Sequence, residues 1–137
     1  GIIIKRVLVI HGPNMNLLGL KKIEGKRQLT LDKVNKAMKA EAKSNNVNLS
    51  IIQSHNEAKV VSHIQRNRSR LDHIVVAPGP WSQNGFVLKD VLNIISVPFS
   101  IVLDNDDETI FLHMLDRSCV YVSANYIDGY IESIKSL

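Results

Sequence analysis

Short apolar runs rich in valine and isoleucine alternate along this chain with longer stretches in which apolar residues return every three or four positions. The runs "KRVLVIHG", "VNLSIIQS", "HIVVAPG", "VPFSIVLD" and "CVYVSA" predict five strands, and their near-continuous apolar character suits strands covered on both faces. Between the first two, "TLDKVNKAMKAEAKSNN" predicts a helix. Thr30 can cap it, Leu31, Val34, Met38 and Ala42 fall at spacings of three and four, and asparagines close it. "NEAKVVSHIQRNRSR" predicts a second helix, with Val60, Val61 and Ile64 on one side and basic residues in its last turn, where they complement the helix dipole. "NGFVLKDVLNII" predicts a third. "YIDGYIESIKSL" predicts the last, with Ile127, Tyr130, Ile131, Ile134 and Leu137 as its apolar stripe, and "DDETIFLHML" reads as a further short helix.

Strands alternating with helices imply an α/β protein, because parallel neighbours need a crossover and the crossover is right-handed. The expected architecture is a flavodoxin-like, doubly wound, five-stranded parallel sheet of order 2-1-3-4-5. Ligands of such sheets bind beyond the carboxyl ends of the strands, where the strand order reverses. Four loops are expected to meet there: "HGPNMNLLG", "QSHNE", "APGPWSQNG" and "LDNDDE". No internal repeat, low-complexity tract or linker interrupts the pattern, and 137 residues suit a single domain spanning 1–137.

Composition narrows the function classes. The chain is 45% hydrophobic and 22% charged, as expected of a soluble globular protein, and no apolar run approaches the roughly 20 residues of a membrane-spanning helix. The opening "GIII" resembles neither a signal nor a transit peptide. Gly1 reads as a scar of tag removal, and the expected location is the cytoplasm. The single cysteine, Cys119, is flanked by strand residues and is expected to be an inert core thiol. A net charge of +4 and a pI near 9.3 are compatible with a small anionic ligand. The densest basic stretches, "KRQLTLDK" and "RNRSR", lack interleaved aromatic residues, so nucleic acid is not the expected partner. His63, His73 and His113 have no second ligand at metal spacing, and the acidic run at 103–108 lacks the regular ligand spacing and glycine of a calcium loop. No metal or other cofactor is expected. The acidic run reads as a solvated helix start.

Candidate chemistry lies in the loops. Gly12 and Gly79 each follow a strand, where the absence of Cβ permits positive φ and close approach of a ligand to the backbone. Asn14 and Asn16 can bind hydroxyl groups or satisfy a turn, and composition leaves both open. His55, Asn56 and Glu57 suit the cap and first turn of the second helix. Trp81 covers a pocket or fills a subunit contact. Taken together, "HGPNMNLLG", "LKKIEG", "QSHNEA", "APGPWSQNGFVLKDVL" and "PFSIVLDND" resemble, in order, the "NGPNLNLLG", "xREPxxYG", "QSNHEG", "NPGAYTHTSxALRDAL" and "PxxEVHISN" segments of the type II 3-dehydroquinate dehydratases. The resemblance runs from about Arg6 to the C-terminal helix.

That resemblance implies a reaction and a set of positions. The family removes the proton alpha to the ketone of 3-dehydroquinate, forms an enolate and expels the neighbouring hydroxyl to give 3-dehydroshikimate. It uses a lid tyrosine whose pKa an arginine lowers, a first-loop asparagine that binds the enolate-stabilising water, and a histidine acid after the third strand. The matching catalytic positions here are His11 for the asparagine, Lys21 for the arginine and Gln83 for the acid, while the lid is two residues shorter and has no tyrosine. Substrate-binding positions would be Asn14, Gly79, Asp90, and the backbone amides of Asp104 and Asn105, with Asp90 reaching the neighbouring subunit. Three other substrate-holding positions fall on Ala77, Leu103 and on or near Ile110. Gln83 has no titratable proton to give. A replacement mechanism would use His11 as the base, with Lys21 or Lys22 tuning it or holding an anion. Against it stands a hydrogen-bonded strand-end histidine beside solvated lysines. Two readings follow: a divergent dehydratase acting on a small anionic substrate, or a catalytically inactive homologue that binds or scaffolds. Either is expected to be a homo-oligomer, a trimer or a dodecamer of four trimers, with no membrane association.

Overall fold

The computed structural model describes residues 2–20, 29–103, 118–122 and 126–137. Its sheet comprises β1 (Lys5–His11), β2 (Val47–Gln53), β3 (His73–Ala77), β4 (Phe99–Leu103) and β5 (Ser118–Val122). All neighbours are parallel and the order is β2-β1-β3-β4-β5. This is the expected flavodoxin-like arrangement. The strand order reverses at β1, whose Val9 stands beside Ile51 of β2 and Val75 of β3.

Helices cover both faces because successive strand side chains point to opposite sides. Leu8 and Ile10 of β1, Ile74 and Val76 of β3, and Phe99 and Ile101 of β4 pack against α2 (Glu57–Asn67), α3 (Trp81–Asn84) and α4 (Phe86–Ile94). Val7 and Val9, Val75 and Val102 pack against α1 (Leu31–Ser44) and α5 (Tyr126–Lys135). Caps follow local sequence: Thr30 accepts from the Lys33 N–H at 3.2 Å and Asn56 accepts from the Lys59 N–H at 3.1 Å. Among the described residues no helix is long and apolar enough to cross a membrane.

Four details differ from the pattern-based expectation. Residues Met15–Leu20, read as turn, form a 3-10 helix with Met15 and Leu18 buried. The second helix ends at Asn67, and Arg68–Arg70 continue as a 3-10 turn. The third is preceded by the one-turn α3, and Gly85 separates the two. In α5 the buried face centres on Tyr126, Tyr130, Ser133 and Ile134, with Ile127 and Leu137 only partly buried against it. Two tyrosines and a serine can line a core because their polar atoms find partners there. The helix expected in "DDETIFLHML", with His113, lies outside the described residues, as does the side chain of Cys119, whose backbone is in β5.

Candidate functional site

The carboxyl ends of β1, β2 and β3 bring three loops together. The Gly12 N–H donates to the Ala77 carbonyl at 2.8 Å, the Ser54 N–H to the His11 carbonyl at 3.1 Å, and the Gln53 side-chain amide to the Gly12 carbonyl at 3.3 Å. A Cβ added to Gly12 would lie 2.2 Å from the Pro78 carbonyl oxygen. Gly12 is therefore needed for backbone-to-backbone packing of two loops and has no positive φ. Gly79 does have one, +55°, in the left-handed region that favours glycine.

Asn14 also adopts left-handed φ, 67°, which asparagine tolerates better than most residues. Its N–H donates to His55 Nδ1 at 3.4 Å and its carbonyl accepts from the Leu17 N–H at 2.9 Å, opening the 3-10 turn. The side chains of Asn14 and Asn16 stand at the exposed surface of this loop.

His11 turns the other way. As the last residue of β1 it continues the side of Val7 and Val9, so its ring enters the layer between the sheet and α1 and α5, where it is fully buried. Its Nε2–H donates to Asn35 Oδ1 at 2.8 Å, and its Nδ1 accepts from the Tyr130 hydroxyl at 2.6 Å. The two rings meet edge to face, centroids 5.3 Å apart. Burial pushes His11 down to about 4, with the Asn35 bond partly opposing the shift. Burial, with Tyr126 nearby, pushes Tyr130 well above its ordinary value. Both rings are therefore neutral near pH 7, and the tyrosine keeps the proton it donates. Both imidazole nitrogens are committed within the protein.

The remaining candidates spread out. Gln83 is exposed on α3, its N–H donating to the Pro80 carbonyl at 3.1 Å. Asp90 is exposed on α4, beside a hollow between α2 and α4 that Arg68 also lines. Lys21, Lys22, Asp104, Asn105 and Ile110 lie outside the described residues. The structure thus joins Asn14 and Gly79 in one loop cluster and aims His11 away from it. Trp81 does not face outward: it is buried in the core with α2 and α4.

One residue was missed by sequence reasoning in this region, and Glu57, which stands in the first turn of α2 as expected, has a second role that its position did not reveal. Asn35, the polar partner of His11, follows Val34 on α1 with nothing in its spacing to distinguish it. Glu57 accepts from the Leu88 N–H at 3.3 Å and so caps α4 from another helix, replacing the side-chain cap that Gly85 cannot supply. At the opposite end of the sheet His73 Nε2 bonds Ser100 Oγ at 2.7 Å, and burial, then the charge of Lys5, holds it down to about 4. Among the described residues no group of three or more His, Cys, Asp or Glu is placed to hold a metal ion.

Comparison with known proteins gives a consistent picture. Residues 5–105 match the family model described as Dehydroquinase class II. The chain is 38% identical over 95 residues to catabolic 3-dehydroquinase 1 of Aspergillus terreus, a match covering 69% of this chain and 62% of that protein. It is 34% identical over 97 residues to the 3-dehydroquinate dehydratase of Polynucleobacter asymbioticus, covering 70% of this chain and 65% of that one. The matched part thus spans less than two thirds of either relative. A 3-dehydroquinate dehydratase of Endomicrobium trichonymphae is 27% identical over 141 residues, covering 97% of this chain and 96% of that protein. In fold, the chain superposes on the type II dehydroquinase of Butyrivibrio crossotus with TM-score 0.85 at 22% identity, covering 97% of both chains. A 3-dehydroquinate dehydratase-like protein from Bifidobacterium longum gives TM-score 0.71 at 15% identity, covering 97% of this chain and 94% of that one.

Proposed function

Because this chain belongs to the class II dehydroquinase family, we propose that it is a catalytically inactive member of that family, one that keeps the strand-end loop cluster as a binding platform for a small anionic ligand. The observation that carries this reading is the commitment of His11. A general base must come within hydrogen-bond reach of the proton it takes, and this imidazole is fully buried with Asn35 on one nitrogen and Tyr130 on the other. Its low proton affinity, near 4, would also make it a weak base at neutral pH. The acid position is a glutamine, Gln83, which cannot protonate a leaving hydroxyl. The choice of a small anionic ligand is supported by the relatives' names and by a chain of net charge +4.

The second reading, a divergent dehydratase, is favoured by identity of 38% and 34% to relatives named for that activity. In it Lys21 and Asp104 with Asn105 would complete the site from segments flanking the described loops. A homo-oligomer fits either reading. Phe86, Val87 and Ile94 of α4 are 62%, 57% and 67% exposed and share the outward side of that helix with Asp90, whereas Leu88 of the same "FVL" run is buried. An apolar patch of this kind suits a contact between copies.

The deciding experiment mixes purified protein at high concentration with 3-dehydroquinate and follows the conjugated enone of the product in the ultraviolet, beside His11→Ala, while calorimetry measures binding of the same compound. Heat of binding without turnover is expected. Turnover that disappears in His11→Ala would replace this proposal with the dehydratase reading. Sedimentation as monomer alone would remove the oligomer.

A further inference from the structure

A different feature lies at the edge of the sheet. β2 is the first strand in the order and is paired only with β1. The Asn46 carbonyl accepts from the Lys5 N–H at 3.1 Å, and the Ser54 N–H donates to the His11 carbonyl. In a parallel strand the N–H and C=O of one residue point to the same side, and the side alternates along the chain. Positions 46, 48, 50, 52 and 54 therefore face β1. Val47, Leu49, Ile51 and Gln53 direct their backbone groups outward, toward no strand of the described sheet.

Both faces beside this edge are basic. On the α2 side lies a hollow of about 590 Å³ in which Ile52 and Ser54 meet Lys59, Ser62, His63 and Arg66. On the α1 side a hollow of about 490 Å³ sets Lys39 and Lys43 beside Val47 and Leu49. Neither lining contains an acidic residue or an aromatic ring apart from the His63 imidazole. The ion pairs of Arg6 with Asp72 and of Lys36 with Asp32 involve none of these cations.

From these observations we propose that the outer edge of β2 docks an extended acidic segment of a partner protein as a sixth strand. The added strand would take main-chain hydrogen bonds from the outward groups of Leu49 and Ile51, the basis of affinity in strand addition. Its side chains would alternate between the two basic hollows. The spacing fits: Lys59 and His63 are four residues apart, about 6 Å along the helix, and same-face side chains of a strand repeat at about 6.7 Å. Nucleic acid fits less well, since the linings offer no aromatic platform for bases and a paired strand uses the open backbone directly. A second copy fits less well too, because antiparallel pairing of β2 with itself would set Lys59 and Arg66 against each other's images. The same lysines that discourage such self-pairing make the edge selective for acidic chains.

The test uses a fluorescent acetyl-Val-Thr-Glu-Glu-Glu-Glu-Thr-Val amide peptide and the whole chain, with binding read by anisotropy at low and moderate salt. Saturable binding is expected, weakened roughly tenfold or more in Lys59→Glu with Arg66→Glu and in Lys39→Glu with Lys43→Glu, since exposed charge contacts are individually weak and here reverse sign. All four positions are exposed. A peptide N-methylated at alternate amides keeps its charge but cannot pair, and should bind at least tenfold more weakly to the unaltered protein. That comparison decides the question even if a charge-reversed variant does not fold. Absence of binding, equal binding of the methylated peptide, or preference for the all-lysine counterpart would each overturn the proposal.

Discussion

Replacing His11 with asparagine should flatten the acid limb of the protein's stability profile. His11 takes up protons at an ordinary value of 6.5 when unfolded and at about 4 when folded, because its buried ring has traded water for Asn35 and Tyr130. The unfolded state therefore binds the proton more readily between those values, and stability falls as pH drops through that window. The contribution is fully present above about pH 6.5 and lost as pH approaches 4. Traversing the whole gap corresponds to about 3 kcal/mol, and from pH 7 to pH 4.5 to about 2 kcal/mol. Urea unfolding of both proteins at pH 7 and 4.5, at one protein concentration, isolates this group, because His73 and the carboxylates contribute equally to each. The parent should lose about 2 kcal/mol more than His11→Asn over that interval. Parallel losses would mean that the imidazole is not held neutral in the fold, and would remove the main support for an inactive site.

Three further expectations test individual contacts. Tyr130→Phe leaves the buried Nδ1 of His11 without its donor and should cost about 1 to 3 kcal/mol in urea unfolding; a neutral result would mean another donor reaches that nitrogen. Gly12→Ala places a methyl group 2.2 Å from the Pro78 oxygen, so the loops after β1 and β3 must separate, at a cost of about 1 to 3 kcal/mol measured by thermal or urea unfolding. Glu57→Gln keeps an acceptor for the Leu88 N–H but removes the charge, whereas Glu57→Ala removes both. Amide exchange at Leu88 should accelerate more in the alanine variant, with stability falling by about 1 kcal/mol.

Much of this protein was legible in its residues. Runs such as "VLVI" and "HIVVA" report strands because each side chain's environment is set by a period of two. Thr30 and Asn56 report helix starts because the N–H groups they satisfy lie three residues away. The motif order from "HGPNMNLLG" to "PFSIVLD" was enough to identify the family, and crossover handedness then restricted the strand order. Tertiary structure decided the rest. Whether His11 serves a ligand or the core depends on Asn35, 24 positions along the chain, and on Tyr130, 119 positions along it. Glu57 caps a helix whose Leu88 is 31 positions away. Gly12 is required because two strand exits meet, and Trp81 is buried because its indole joins the core formed with α2 and α4. Periodicity records which face of one element is apolar. Which polar atoms meet across that face depends on how elements distant in sequence are packed, and the chemistry at the ends of these strands depends on those meetings.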